Sequence, residues 1–474
     1  MILDYTKIGD VKAYSSCEVS RSRVGVGFEK LDRAVFDPEK AYDHVAALGV
    51  KWVRLQSGWQ RTETEKGVYH FEWLDDIVDN LRRRAVEPWV CLCYGNRLYD
   101  QQAAERFGGV GCPPNSPEEL PVWLAYVRET VRHFAGRVTW WEIWNEPDCS
   151  YSWRYNINMV EYGVFARETA KAIREAAPEA RIILGAFAGS DMLRVRECFE
   201  QDVCGLVDAV SFHIYSGNEM DDDVRISNLR RLMNQYNPKL ELIQGEGGCQ
   251  SRHDGAGALA GQYWTPEKQA KSLARHMLQQ LSYDCKFASY FSCMDMIEAL
   301  NGKVGDKASY MDFGYFGVVG ADFDENGIAS GNYTRKPSFR SLQTIASLLR
   351  EDFEVVTDIP WRYESVANPR FGGGYVGAQS ECRVFQAFFR KPNGAVGMAL
   401  WAQTNILRQT YEGSISVRLA NVPTDSIKLV DVVDGSVYEL KADNIIRDEP
   451  SGTLLLRHVP LFDRPVMLCF GDFM

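Results

Sequence analysis

Histidine is scarce in this sequence, with seven residues among 474. Metal-dependent hydrolysis needs several histidine and aspartate side chains gathered at strand ends, and only His213 lies at the end of a predicted strand. A dinucleotide cofactor would need a glycine-rich phosphate turn after the first strand, which Gly25-Val26-Gly27-Phe28 is not. We therefore expect neither a metal nor a cofactor.

Basic charge and long apolar runs are also lacking. The net charge is −11, whereas a nucleic-acid partner or an anionic membrane surface requires a basic face, so we expect neither partner. No apolar run approaches the roughly 20 residues of a membrane-spanning helix. The first five residues contain neither the basic nor the apolar segment of a signal peptide.

Disulfides are not indicated, although the sequence has 12 cysteines. Several of them, including Cys91 and Cys93, lie in apolar runs, where thiols behave as small core residues. A metal bound by this pair would need further ligands, and none is close in sequence. Reduced thiols without a signal peptide predict a cytoplasmic location.

Eight short apolar runs alternate with amphipathic helical runs between residues 23 and 350. Continuous apolar strands that are each followed by a helix indicate a parallel sheet buried on both faces. Eight such units predict an α/β fold of the (β/α)8 TIM-barrel type. The predicted strands are Arg23–Glu29, Val50–Gln56, Val86–Tyr94, Val138–Glu146, Arg181–Phe187, Asp208–Tyr215, Leu240–Glu246 and Phe287–Met294.

After residue 350 the pattern changes to short alternating runs separated by turn residues, such as Ala395–Trp401 and Ser414–Leu419. This pattern predicts a C-terminal antiparallel β-sandwich. We divide the chain into an N-terminal segment at residues 1–22, a barrel at 23–350 and a sandwich at 351–474. Pairing of the N-terminal segment with the sandwich is left open, and the chain is compatible with a homo-oligomer.

Two glutamates lie at the ends of predicted barrel strands. Glu146 follows the aromatic run 140–144 as the fourth strand stops at a proline, and Glu246 ends the seventh strand. Active sites of such barrels lie at the carboxyl ends of the strands, and these two strands are on opposite sides of the barrel mouth. One protonated and one ionised carboxyl group facing each other are the minimal equipment for cleaving a glycosidic bond. The alternative is that both are ordinary surface residues.

The stretch Trp141-Glu142-Ile143-Trp144-Asn145-Glu146-Pro147 resembles the acid/base signature of the retaining glycoside hydrolases of clan A, the 4/7 superfamily. The longer stretch 133–215 is most similar to family 39, which contains β-xylosidases and α-iduronidases. The flank Gly245-Glu246-Gly247-Gly248 departs from the Glu-Trp of family 39 and is more similar to family 5. The resemblance covers about residues 23–350 in layout.

The resemblance implies a role for several residues. Glu146 would be the acid/base and Glu246 the nucleophile, while Asn145 would hold the 2-hydroxyl group of the sugar. A charged residue inside an apolar strand has to be paired, and Arg54 would contact the nucleophile. A structural ion pair with Glu142 is the alternative for Arg54. Tyr215 would also contact the nucleophile. His213 shares a strand face with Tyr215 and is a further candidate for binding substrate.

Sugars also pack their C–H faces on aromatic rings. Trp153 and Trp264 lie in polar, loop-like segments and are the stronger candidates, and Asn96 could contact a hydroxyl group. The tryptophan that many clan members have at the end of strand eight is missing from Ser292–Met296. The other candidates near strand ends are Trp59, Glu63, Tyr94, Tyr155, Tyr263 and Phe291.

Three functions remain open. The first is a retaining, exo-acting β-glycosidase on small oligosaccharides, which a cytoplasmic location and the long loops 96–115 and 247–265 favour. The second is an endo-glycanase or transglycosylase of the same clan with an open groove. The third is a non-catalytic carbohydrate-binding barrel, because a fold alone does not confer activity.

Overall fold

A computed structural model describes residues 5–153, 156–189, 191–372 and 383–474 of the chain. Strands β2–β9 form a closed parallel barrel in sequence order, and β2 pairs with β9 to close it. The predicted (β/α)8 barrel is confirmed. The barrel strands are β2 (Val24–Gly27), β3 (Trp52–Gln56), β4 (Glu87–Leu92), β5 (Trp140–Ile143), β6 (Arg181–Phe187), β7 (Ala209–His213), β8 (Glu241–Glu246) and β9 (Ala288–Tyr290).

Two helices of the barrel begin where the sequence places an N-cap residue followed by a proline. The Asp37 side chain accepts a hydrogen bond from the Glu39 amide, and Thr265 caps α9 in the same way, each directly before a proline. The helices are α1 (Pro38–Leu48), α2 (Trp59–Thr62), α3 (Glu72–Arg83), α4 (Gln101–Ala104), α5 (Glu119–His133), α6 (Met159–Ala176), α7 (Met192–Phe199), α8 (Asp222–Tyr236), α9 (Pro266–Ser282) and α10 (Pro337–Leu348).

Large aromatic side chains fill the barrel near the amino-terminal ends of its strands. Trp89, Trp140 and Phe287 are buried there, and Trp52 stacks on Phe287 with ring centroids 4.5 Å apart. These aromatic side chains close the amino-terminal end of the barrel, so its interior is a packed core. The polar side chains at the opposite, carboxyl ends of the strands are therefore the ones that a substrate can reach.

The C-terminal part contains two antiparallel sheets, so the predicted sandwich is confirmed. One has seven strands in the order β1-β20-β19-β23-β17-β16-β14, and the other has four in the order β15-β18-β22-β21. Both sheets contribute to one apolar core. The strands are β14 (Glu354–Val356), β15 (Trp361–Gly372), β16 (Val384–Arg390), β17 (Val396–Ala402), β18 (Thr410–Ala420), β19 (Ile427–Asp431), β20 (Ser436–Leu440), β21 (Ile445–Asp448), β22 (Thr453–Phe462) and β23 (Val466–Phe470).

Three smaller pairings complete the fold. The N-terminal strand β1 (Tyr5–Asp10) pairs antiparallel with β20 and so extends the seven-stranded sheet. Two short hairpins follow the last barrel strand. They are formed by β10 (Met296–Ile297) with β11 (Phe313–Gly314), and by β12 (Val319–Phe323) with β13 (Ala329–Arg335).

Candidate active site

A sharp turn after β5 directs Glu146 into the barrel mouth. The strand ends at Ile143, and Trp144 and Glu146 then adopt left-handed backbone angles, with φ of 66° and 48°. Non-glycine residues rarely adopt such angles, and strained backbone of this kind is found more often at functional sites than elsewhere. The Asp148 carboxylate ties the turn to the loop after β6 by accepting hydrogen bonds from the amides of Ala188 and Gly189 at 3.0 and 2.6 Å.

Glu246 reaches the same mouth more simply, because it is the last residue of β8. Its backbone carbonyl accepts a hydrogen bond from the Ile214 amide at 3.0 Å, which joins it to the end of β7. One of its carboxylate oxygens accepts a hydrogen bond from the Tyr215 hydroxyl group, and the other lies 2.8 Å from Arg54. Both oxygens of Glu246 therefore face donors.

Arg54 connects the two halves of the site. Its guanidinium group is fully buried and donates to Glu142 at 2.7 Å, to Glu246 at 2.8 Å and to the Asn145 side-chain oxygen at 2.8 Å. The planar arrangement of five N–H donors suits several fixed acceptors. Arg54 thus contacts Glu246 and pairs with Glu142 at once, so the two roles that the sequence suggested for it are not exclusive.

His213 lies between the two carboxylates. Its Nδ1 atom is 2.9 Å from Glu146 Oε1 and 3.7 Å from Glu246 Oε2. One oxygen of each glutamate and this nitrogen all lie within 4.8 Å of one another. The second oxygen of Glu146 accepts a hydrogen bond from Tyr151. The sequence analysis missed Tyr151 because it is in an irregular loop, where no periodicity marks it.

The environment of these groups shifts their pKa values. Burial raises the pKa of Glu146, and the hydrogen bond from Tyr151 opposes that shift only in part. Burial also lowers the pKa of His213 to about 4, so the imidazole is neutral at neutral pH. A neutral imidazole carries one N–H, and a proton on Nδ1 would be donated to Glu146.

A further carboxyl group, that of Glu29, lies beside Arg54 at 3.6 Å and is fully buried. Burial and the charge of Glu246 raise the pKa of Glu29 to about 8. Glu29 ends the first predicted strand, just as Glu146 and Glu246 end theirs. It was nevertheless not singled out from the sequence. The carboxyl groups of Glu29, Glu142 and Glu246 therefore surround the guanidinium group of Arg54.

Three of the predicted substrate-binding residues lie elsewhere, which corrects those expectations. Trp153 is 1% exposed and packs against Trp144, Tyr162 and Phe165 as a core residue. It offers no open ring face to a sugar.

Trp264 is 2% exposed and is buried with Cys249 and Ile406, between a barrel loop and the sandwich. The polar atoms of Asn96 are bound to the backbone of its own surroundings, at Glu63, Trp59 and Leu98. A side chain occupied in this way holds a loop in place.

Phe291 is the aromatic residue that follows β9, the eighth barrel strand. Its ring centroid is 6.1 Å from that of Tyr215, in an edge-to-face arrangement. It therefore lies next to the side chain that contacts Glu246, which makes it the best placed of the aromatic candidates. Of the others, Trp59 is stacked in the core between Tyr99 and Tyr126, and Tyr155 lies outside the described residues.

Glu146, His213 and Glu246 are also the residue types that bind divalent metals. Tyr151, Tyr215 and Arg54 already donate to oxygens of this pair, and the buried positive charge of Arg54 opposes the binding of a cation beside Glu246.

Part of the chain matches a known family of enzymes. Residues 39–244 match the model of glycosyl hydrolases family 39. This segment is a glycosyl hydrolase domain. The match confirms the resemblance expected from the sequence and makes carbohydrate the substrate class of the domain. It spans β3 to β8 but less than half of the chain. No curated protein sequence matches the chain.

Solved structures share the fold over almost the whole chain. A family 39 glycoside hydrolase from Bacteroides cellulosilyticus WH2 has a TM-score of 0.59 and 16% identity, covering 95% of this chain and 81% of that one. A family 39 β-xylosidase from Caulobacter crescentus has a TM-score of 0.56 and 16% identity, with 98% of each chain covered. A family 30 endoxylanase from Clostridium papyrosolvens C71 has a TM-score of 0.58 and 11% identity, covering 98% and 99%.

Among the residues that the structure describes, no helix combines the length and the apolar character needed to span a membrane.

Proposed function

We propose that this protein is a retaining glycoside hydrolase that acts by double displacement, with Glu146 as the acid/base and Glu246 as the nucleophile. The separation of the two carboxylates carries the proposal. Retaining enzymes hold this pair about 5–5.5 Å apart, whereas inverting enzymes leave about 6.5–9.5 Å for a water molecule. Here the nearest oxygens of Glu146 and Glu246 lie within 4.8 Å of each other, a closest approach that agrees better with the shorter separation than with the longer one.

In the first step, Glu246 attacks the anomeric carbon while Glu146 transfers its proton to the glycosidic oxygen that leaves. Burial raises the pKa of Glu146, which favours the protonated form that this step requires. Arg54 and Tyr215 hold the two oxygens of Glu246, which fixes the direction of attack. The product of this step is a covalent glycosyl-enzyme ester.

In the second step, Glu146 is a carboxylate and takes a proton from the water that attacks the anomeric carbon, which releases Glu246. Neutral His213, with its proton on Nδ1, and the hydroxyl group of Tyr151 each donate to one oxygen of Glu146. These donors stabilise the carboxylate that the first step creates. The same residue therefore serves as acid and then as base.

Asn145 and Phe291 would contact the sugar itself. The oxygen of the Asn145 side chain is held by Arg54, which leaves its amide nitrogen to bind the 2-hydroxyl group. Phe291 would form an apolar wall in place of the tryptophan that the sequence lacks at the end of strand eight. We propose exo action on the β-glycosides of small oligosaccharides, with endo action as the alternative.

A panel of aryl β- and α-glycosides tests this function, beginning with a xyloside because a structurally similar protein is a β-xylosidase. We expect release from one β-glycoside and a loss on the order of 10⁴-fold or more in Glu246→Gln, which cannot form the ester. Glu241→Gln is the matched control, because Glu241 begins the same strand and pairs with Arg181 and Lys286. It should retain turnover.

The outcomes of this panel are distinct. Near-normal turnover in Glu246→Gln would remove Glu246 from the proposed role. Release from xylo-oligosaccharides but from no aryl glycoside would replace exo action with endo action. No release from any substrate, together with binding of an oligosaccharide, would favour the non-catalytic carbohydrate-binding barrel.

A further inference from the structure

Glu29 is a buried carboxyl group that none of the proposed catalytic steps uses. It follows β2 by two residues and is 1% exposed. Neither of its carboxyl oxygens has a hydrogen-bond partner among the described residues. The carboxyl group packs directly on Gly27, where a Cβ atom would lie only 2.1 Å from Glu29 Oε2. A buried carboxylate without hydrogen bonds is costly, so the charge of this group needs an explanation.

The positive charge beside Glu29 is already engaged by two other carboxyl groups. Arg54 Nη1 lies 2.8 Å from Glu246 and 3.6 Å from Glu29, so both groups approach the same nitrogen. Glu142 accepts a hydrogen bond from Arg54 Nε at 2.7 Å. If all three glutamates were ionised, the four groups together would carry two net negative charges away from water, which is unfavourable.

The three glutamates differ in the donors that face their oxygens. Glu246 accepts hydrogen bonds from Tyr215 and Arg54, and Glu142 accepts one from Arg54. Glu29 accepts none among the described residues. Hydrogen bonds and short ion pairs stabilise the charged form of a carboxyl group, so the proton is held most easily by Glu29.

Two other titratable groups lie close enough to Glu29 to affect its charge. The ammonium group of Lys30 is bound to Glu298 at 3.1 Å. Burial raises the pKa of the Cys293 thiol, so this thiol is uncharged at neutral pH. Burial and the charge of Glu246 outweigh the nearby cations and raise the pKa of Glu29 to about 8, in agreement with the geometry.

We propose that Glu29 is protonated while Glu246 is a carboxylate, and that Glu29 releases this proton to water when Glu246 becomes a glycosyl ester. The ester bond removes the negative charge of Glu246, and the carboxylate of Glu29 then replaces that charge beside Arg54. When hydrolysis of the ester restores the Glu246 carboxylate, Glu29 takes a proton back from water. This proton is distinct from the one that Glu146 gives to the leaving oxygen.

Glu29 is a positioning residue in this scheme, because it acts on the reaction through Arg54 and Glu246. It keeps the number of negative charges around the guanidinium group constant while the nucleophile changes its own charge. The protonation of Glu29 in the free enzyme does not depend on the reaction, whereas the release of the proton rests on the proposed function of Glu246.

The first test compares the unfolding of wild type and Glu29→Gln at several pH values and needs no activity. Glutamine has the shape of a protonated glutamate but cannot ionise. An unfolded chain holds glutamate at a pKa of about 4.3. A higher pKa in the folded protein means that wild type loses stability relative to Glu29→Gln as the pH rises from about 4.3 to about 8. Within this window the ratio of their unfolding constants should change about tenfold per pH unit.

Glu241→Gln is the control for this comparison, because Glu241 is paired with Arg181 and Lys286 at the other end of the barrel. It should show no such loss. A difference between wild type and Glu29→Gln that stays constant with pH, or that changes in the opposite direction, would overturn the proposal.

The second test follows Glu29 by difference infrared spectroscopy as the ester forms. The ester is trapped with the C2-fluorinated form of the aryl glycoside that is cleaved best. Wild type and Glu29→Gln should both gain the carbonyl band of the ester, which reports the proposed function. Wild type alone should also lose the carbonyl band of a protonated carboxyl group that Glu29→Gln lacks. Equal losses in both proteins would overturn the release of a proton from Glu29.

Neutron diffraction from wild-type crystals does not depend on the folding of a variant. At about pH 6 a deuteron should be bound to the carboxyl group of Glu29 and none to that of Glu246. A Glu29 carboxylate without a deuteron would overturn the proposal. If no ester forms, the proposed function fails, and the unfolding comparison and the neutron map still decide whether Glu29 is protonated.

Discussion

Replacement of Arg54 by lysine should disable the site while keeping its charge. The guanidinium group makes three hydrogen bonds, at 2.7 Å to Glu142, 2.8 Å to Glu246 and 2.8 Å to Asn145. Glu142 and Asn145 belong to β5 and the turn after it, whereas Glu246 ends β8 on another side of the barrel. A single ammonium group cannot reach all three, because it is a compact point charge on a flexible stem.

The cost can be estimated from the bonds that are lost. A hydrogen bond to a charged group contributes about 1.5–3 kcal/mol, so losing two of the three should lower the free energy of unfolding by about 3–6 kcal/mol. Breaking one side of a buried ion pair costs a similar amount, about 3–5 kcal/mol. Since Glu246 and Asn145 both lose an anchor, kcat/KM should also fall roughly 100-fold.

Chemical denaturation and steady-state kinetics measure the two effects. Arg128→Lys is the control, because Arg128 pairs with Glu175 on the surface at 2.8 Å. Such a pair contributes about 0–1 kcal/mol. An Arg54→Lys variant that matches this control in stability and retains wild-type kcat/KM would refute the view that Arg54 organises the site.

Three further predictions concern single residues. Glu146→Ala should lose on the order of 10²–10⁴-fold in kcat/KM with poor leaving groups but far less with acidic ones, and equal losses would contradict an acid role. Tyr151→Phe removes a donor that lowers the pKa of Glu146, so this pKa should rise. The basic limb of the profile of kcat/KM against pH should then move to higher pH. A basic limb that stays in place or moves to lower pH would count against this role of Tyr151. Trp153→Ala should cost about 3–5 kcal/mol of stability because the ring is in the core, and normal stability with a raised KM would instead indicate a sugar platform.

The sequence predicted the barrel well because its strands are buried on both faces. Continuous apolar runs such as Arg181–Phe187 leave a signal that does not depend on distant parts of the chain. Capping residues likewise made the starts of two helices predictable, namely those that begin after Asp37 and Thr265. The paired state of Arg54 also followed from local information, since a buried charge must have partners.

The parts of the site that were misjudged depend on tertiary contacts. Trp153 lies in an irregular segment that reads as an exposed loop, but its side chain turns into the core. This burial leaves no trace in spacing or composition.

The most direct test of the account is the configuration of the first sugar released. Proton NMR of the anomeric signal, recorded early in the hydrolysis of the best aryl β-glycoside, identifies the anomer that is released first, before the α- and β-anomers equilibrate. Two displacements at one carbon restore the original configuration, so the account predicts the β-anomer as the first product. An initial α-anomer would contradict a covalent intermediate on Glu246, and with it the mechanism proposed for the pair.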